Sequence, residues 1–436
     1  MRSRGGRGVV LGIVLAVAAG LTIAASPVVE ASPATDRTSC ALPGGGQPFG
    51  SSAPGRHGLD AAKVNDAIAY ASSHMRLSVQ IFRDNCLVGT GPLNAATQNV
   101  PFPMWSSTKS VISLLTGIAI DQHKLGMNDP IGKYLPRGWG DAAHRSITVH
   151  ELLTQTSGIK QSILSEAATS LSDPSIAQEA LAYPLDHAPG THWVYGQRQV
   201  DLLGYVVHRA VGEDLVAYAQ RNLFGPVGIP ASSYAWLRDQ SGQPYGYAHL
   251  FLPPVQYAKL GLLLQNQGVW KGRRVISEAY VDALSTPTPS NPCYGLLFWT
   301  NAGNRCTSAD FPAAVTVNHR MIESAPADLY AMVGFLHQNN FIIPSLHMVI
   351  TWTGVLGDSY PNIAVLLSAV PAGDLYHNFF RILMSGVKDV HVPDPGPYRG
   401  PGESFEVDPS KLIDPEISQK GLAPNVHCNV LSCTSG

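Results

Sequence analysis

Strand-patterned segments stand at the two ends of a long stretch whose patterning is helical, and this arrangement limits the folds open to the chain. Near the start, Leu77-Ser78-Val79-Gln80-Ile81-Phe82 alternates apolar and polar residues as a strand does, and Asp84-Asn85 suits the hairpin turn after it. Comparable runs return only late, at 294–300, 331–335, 340–343 and 348–353. Between them, residues 160–290 carry mostly helical patterns broken by Pro and Gly. One sheet can use all of these strands only if early and late segments pair across the intervening chain. The expected fold is therefore α/β in the α+β sense. An antiparallel sheet is flanked by helices, and a mainly helical second lobe is inserted at about residues 120–290. A helix at 59–73 precedes the first strand, and another near 378–384 closes the domain.

The chain has 436 residues, 45% of them hydrophobic, enough for one large domain or two joined lobes. Only 14% are charged, the formal net charge is −2, and no basic run is present, so nucleic acid is not an expected partner. Arg2, Arg4 and Arg7 precede an apolar run at 9–25, and small residues then offer cleavage sites at Ala24-Ala25-Ser26 and Val29-Glu30-Ala31. These are the marks of an export signal over residues 1–31. Cleaved, the protein is secreted with no stable membrane association; uncleaved, the run becomes an anchor near the lower limit of spanning length. The expected order after it is a flexible Ser/Pro/Gly leader (32–57), the main domain (58–390), and a Pro-rich tail with a small cysteine loop (391–436).

Six cysteines in an exported chain point to disulfides. Proximity favours Cys293–Cys306 and Cys428–Cys433, which leaves Cys40–Cys86, although six cysteines permit fifteen pairings. No Cys-x-x-Cys or His-Glu-x-x-His motif occurs, so neither a metal site nor a cofactor is expected.

The apolar run 111–120 is too long for an ordinary strand and reads as a buried helix beginning near Ser106. Ser106 and Lys109 then lie one turn apart on one face, where the helix N-terminus adds positive potential. Ser-x-x-Lys also occurs at Ser157/Lys160 and Ser385/Lys388, so spacing alone does not choose among the three. Context does: Ser157 sits beside Gly158, where the helix capped by Thr148 and Glu151 should end, and Ser385 lies far along a terminal helix. A serine hydroxyl needs a base to become a nucleophile, and Lys109 can serve directly only if burial lowers its pKa. No Gly-x-Ser-x-Gly pentapeptide is present, which excludes the nucleophile elbow of α/β-hydrolases.

Trp105-Ser106-Ser107-Thr108-Lys109-Ser110 resembles the active-site segment of serine β-lactamases and penicillin-binding proteins, in particular the class C-related esterases and amide hydrolases. The resemblance continues in order through 125–136, 147–158, Pro189-Gly190-Thr191, Leu202-Leu203-Gly204 and 223–229, covering roughly residues 75–370. It implies a β-lactamase/transpeptidase-like fold and a serine hydrolase that forms an acyl-enzyme on small esters, amides or peptides. It also implies that Tyr195-Gly196-Gln197 stands for the family's Tyr-x-Asn motif. Tyr195 would be a phenolate that takes the Ser106 proton with help from Lys109, and Gln197 would replace the usual Asn in binding substrate. The third motif, Lys-Thr-Gly in β-lactamases, is absent; its place falls to Met332-Val333-Gly334-Phe335-Leu336-His337-Gln338. There Gly334 would admit the substrate, the Phe335 N–H would join that of Ser106 as an oxyanion hole, and His337 would adjoin the substrate. Trp105, Trp193 and the stretch Tyr245–His249 are candidate walls of the site. Altered second and third motifs leave an alternative, a weak or inactive relative that binds peptides or cell-wall fragments.

Overall fold

The computed structural model describes residues 38–162, 166, 170–309, 313–355, 357, 373–400 and 404–407. The chain divides after Asp36, and every described residue belongs to the second unit, Arg37–Gly436.

That unit is built on a six-stranded antiparallel sheet. Its strands are β1 (Arg76–Arg83), β2 (Cys86–Thr90), β3 (Trp299–Thr300), β4 (Tyr330–Gly334), β5 (Gln338–Ile343) and β6 (Met348–Gly354), in the order β2-β1-β6-β5-β4-β3. The early hairpin joins the late strands through β1 and β6, with Val79 opposite Trp352 and Ile81 opposite Ile350. Asp84 and Asn85, both left-handed at φ 51° and 63°, close the turn between β1 and β2, a conformation that Asn and Asp tolerate better than most residues.

Helices cover both faces. On one, α1 (Ala61–Ser73) packs beside the last helix, α7 (Asp374–Met384). Phe341 and Trp352 of the sheet meet Phe379, Phe380 and Tyr376 of α7 edge-on or tilted. The other face carries α2 (Ser107–Asp121) and α6 (Pro254–Gln265). Every residue from Ser107 to Ala119 is buried, which explains the unbroken apolar run: a helix enclosed on all sides needs no polar face. Gly261 lets α6 close on the sheet, since a Cβ there would lie 2.2 Å from Asn340 Oδ1.

Between β2 and β3 the chain forms the helical lobe, including α3 (Val149–Leu153), α4 (Ile176–Ala182) and α5 (Arg198–Val211). The capping box at the start of α3 has both of its hydrogen bonds, Thr148 to the Glu151 N–H and Glu151 to the Thr148 N–H. The helix ends at Leu153, earlier than expected. Gly158 instead takes φ +78° where the chain passes His187, whose carbonyl would lie 2.1 Å from a Cβ. The run 294–300 is a strand only at its last two residues, because Leu297 turns left-handed and Gly295 donates to Phe298 O.

The ends of the domain also differ from expectation. From Cys40 onward, the segment expected as a flexible leader is tied down: Cys40 bonds Cys86, and His57 is buried against Asp84 at 2.9 Å. In the expected tail, Ser404–Val407 pairs with Ala313–Val317. Cys293–Cys306 forms as proximity suggested, and Cys40–Cys86, the pair left over, forms too; Cys428, Cys433 and the export signal lie outside the described residues. No helix among the described residues is long and apolar enough to cross a membrane.

Candidate active site

Trp105 adopts φ +48°, a strained value for a bulky residue, and delivers the chain into α2 with Ser106 as its first, half-helical position. One turn on, the Lys109 side chain is almost fully buried, and three oxygens meet its Nζ. Ser106 Oγ lies at 3.0 Å, Gln197 Oε1 at 2.5 Å and the Tyr247 carbonyl at 3.1 Å. Burial disfavours the ammonium and lowers the Lys109 pKa from its ordinary 10.5 to about 7, against the opposing pull of Asp201 and Glu166.

Gln197 reaches Lys109 because the turn before α5 is held by other glutamines. Gln155 Oε1 accepts from the Gly196 N–H at 2.6 Å and from Gln199 Nε2 at 2.7 Å, while Gln161 Oε1 accepts from the Gln197 N–H at 3.0 Å. Gly196 makes room for that glutamine: a Cβ would fall 2.1 Å from Gln161 Cδ and displace the side chain. The same turn presents Tyr195, whose ring centroid is 4.8 Å from Lys109 Nζ. Trp193, Tyr294 and Trp299 pack around that ring with centroids 6.0–6.2 Å from it. Burial pushes the Tyr195 pKa above its ordinary value, and the Ser106 side chain pulls it the other way.

Strand β4 meets the Ser106 turn edge-on. A Cβ at Gly334 would lie 2.2 Å from the Met104 carbonyl, so only glycine allows this approach. Phe335 follows and packs edge-on to Trp105, with centroids 5.7 Å apart. Tyr257 Oη donates to Ser107 Oγ at 2.8 Å, and Ser107 donates to Gln338 O at 2.9 Å, which ties α6, α2 and β5 together beneath Ser106. Ser106, Lys109, Tyr195 and Gln197 thus converge, with Gly334 and Phe335 beside them.

His337 does not join this group. It and Leu336 are both left-handed, at φ 62° and 57°, and close the β4–β5 hairpin. The His337 ring is buried and its Nδ1 lies 2.5 Å from Tyr376 Oη of α7, on the opposite side of the sheet. Met332 is fully buried.

Residues 76–276 match the β-lactamase family model, and the folds compared below agree with it. The match takes in a little under half of the chain and marks a likeness to the β-lactamase family over that stretch. Over 103 residues the chain is 33% identical to the lovastatin esterase of Penicillium rubens, covering 22% of this chain and 26% of that protein. Over 146 residues it is 29% identical to esterase EstB of Burkholderia gladioli, covering 29% and 37%. These matches therefore span well under half of each relative. A penicillin-binding-protein homologue from Caulobacter crescentus superposes with a TM-score of 0.54 at 14% identity, over 79% of this chain and all of that one. The hydrolase EstCE1, described as having promiscuous acyltransferase activity, gives 0.51 at 16% identity over 72% and 98%. These structural likenesses establish the fold.

Two parts of the site escape a reading of motifs. Tyr247 contributes a backbone carbonyl, a group that every residue owns. Behind it lies a buried charge cluster: Arg198 donates to Asp173 and Asp201 at 2.8 Å each and lies 3.3 Å from Glu179. Arg198 and Asp201 stand at i and i+3 directly after Gln197, so their pairing was legible, but their burial was not. Among the described residues, no three His, Cys, Asp or Glu side chains are grouped to hold a metal ion.

Proposed function

We propose that the protein is an exported serine hydrolase that cleaves small esters or short amides through an acyl-enzyme on Ser106. The arrangement of acceptors around Lys109 Nζ carries this reading. A neutral amine has two N–H donors and one lone pair. Gln197 Oε1 and the Tyr247 carbonyl are acceptors only, so they engage both N–H bonds and leave the lone pair for the Ser106 hydroxyl 3.0 Å away. A pKa of about 7 keeps a large share of Lys109 in that form at neutral pH.

Lys109 then takes the Ser106 proton as Oγ attacks the substrate carbonyl carbon, and the Ser106 and Phe335 N–H groups receive the developing oxyanion. The protonated Lys109 returns its proton to the departing alcohol or amine as the carbonyl re-forms. Water, deprotonated by Lys109, attacks the ester so formed and releases the acid and Ser106. Tyr195 fills a different role from the phenolate that family resemblance implies. Its raised pKa keeps it a phenol, a neutral neighbour of Ser106 and Lys109.

Met332 occupies the place of the missing lysine and carries no charge, so a substrate carboxylate has no cation to meet there. Uncharged esters and amides are the better fit, and β-lactams the poorer. The esterase relatives point the same way, and the two disulfides suit an oxidising compartment outside the cytosol. The test is fluorophosphonate labelling together with turnover of p-nitrophenyl esters and nitrocefin. The expected result is an adduct on Ser106, ester turnover well above nitrocefin turnover, and loss of both in Ser106→Ala. A wild-type protein that takes no label and turns over no ester overturns the proposal and leaves a binding protein of the same fold.

A further inference from the structure

The cluster behind the site has a defined connection to it. Asp201 Oδ2 accepts from Arg198, while its Oδ1 accepts from the N–H groups of Gly246 at 2.7 Å and Tyr247 at 3.3 Å. Arg198 is fixed in turn by Asp173, which also accepts from the Tyr245 hydroxyl at 2.8 Å. Gly246 lies flat on the first turn of α5, where a Cβ would fall 2.6 Å from the Val200 carbonyl. The peptide planes from 245 to 247 are thus clamped from α5, and the next carbonyl, that of Tyr247, receives Lys109. A surface pairing would not need such burial. Arg198, Asp173 and Asp201 have no measurable side-chain exposure, an expensive state for charges unless the geometry they impose is needed.

We infer that Asp201, held by Arg198, is a positioning residue for Lys109: it fixes the Tyr247 carbonyl and thereby the direction of the Lys109 lone pair toward Ser106. The inference rests on the reading of Lys109 as the base. Asp201 also acts on Lys109 through its charge. The polar and titratable groups around the amine are Ser106, Gln197, Tyr195 and Tyr247, the last by its backbone and by its phenol ring 5.4 Å away, with Asp201 and Glu166 as nearby acids and His249 close enough to feel the Lys109 charge. Of these, Asp201 and Glu166 favour the ammonium.

This pair of roles makes Asp201→Asn diagnostic. Loss of one carboxylate removes part of the attraction for a proton on Lys109, so the acid limb of kcat/KM moves to lower pH, by about half a pH unit or more. At the pH optimum, kcat falls about tenfold or more while KM stays within about threefold, because the substrate does not touch Asp201. A merely structural loosening gives the opposite pH effect: water reaching Lys109 restores the ammonium and moves the limb upward. The measurement is the pH dependence of p-nitrophenyl ester turnover and of fluorophosphonate labelling at Ser106, on protein shown by circular dichroism to be folded. An unmoved or raised limb, or an unchanged kcat, overturns the inference. If Asp201→Asn does not fold, Tyr245→Phe removes only the hydroxyl bound by Asp173; a kcat lowered about threefold at constant KM supports the clamp, and no change refutes it. Wild-type protein that takes no label at Ser106 defeats the underlying reading instead, so the two failures are distinguishable.

Discussion

Replacing Gln197 by Asn would restore the residue type that the superfamily's second motif usually carries, yet the geometry around Lys109 makes it a damaging change. Gln197 Oε1 stands 2.5 Å from Lys109 Nζ. Removing one methylene withdraws the amide by up to about 1.5 Å, one C–C bond length, which takes the contact to roughly 4 Å and beyond hydrogen bonding. The backbone cannot follow, because the Gly196 and Gln197 N–H groups are pinned to Gln155 and Gln161. A hydrogen bond to a charged group is worth about 1.5–3 kcal/mol. In the proposed mechanism Lys109 becomes an ammonium as Ser106 attacks, so that stabilisation is needed most in the transition state. The expected loss in kcat/KM is then about ten- to hundredfold. Second-order rates with p-nitrophenyl acetate and with a fluorophosphonate measure it directly. Rates within twofold of wild type, in a protein of unchanged melting temperature, would refute the claim that Gln197 orients the base.

The pH profile offers a second test. The proposed mechanism makes the neutral amine the active form, so kcat/KM should rise through about pH 7 and fall away below it. Lys109→Arg, cationic at every pH, should lower activity by about a thousandfold or more throughout the range. Gly196→Ala should destabilise the fold by about 1–3 kcal/mol, read by chemical denaturation, because its methyl overlaps Gln161. Removing Cys40–Cys86, which closes a separation of 46 residues, should cost about 4 kcal/mol on the chain-entropy account and lower the melting temperature by roughly 5 °C.

What the chain discloses without a structure follows from the range of each interaction. The β1 alternation, the Asp84-Asn85 turn, the buried helix after Ser106 and the Thr148/Glu151 cap are decided within a few residues, and all can be read directly. The run 294–300 misleads because its β-like composition says nothing of the left-handed Leu297 that folds it back. His337 misleads in another way. Motif order places it beside Phe335, but two consecutive left-handed residues turn its ring toward Tyr376, a partner 39 positions away. The same limit applies within the site. Ser106 and Lys109 share one helix turn and announce each other, whereas the acceptors that make Lys109 a base arrive from 88 and 138 residues away. One of those is a carbonyl whose residue type is irrelevant and whose position depends on a carboxylate in another helix. Spacing together with the apolar helix behind it singles out the pair proposed to react. The direction in which a lone pair points is a property of the packed lobe, and the Asp201 and Gln197 variants probe that direction from its two sides.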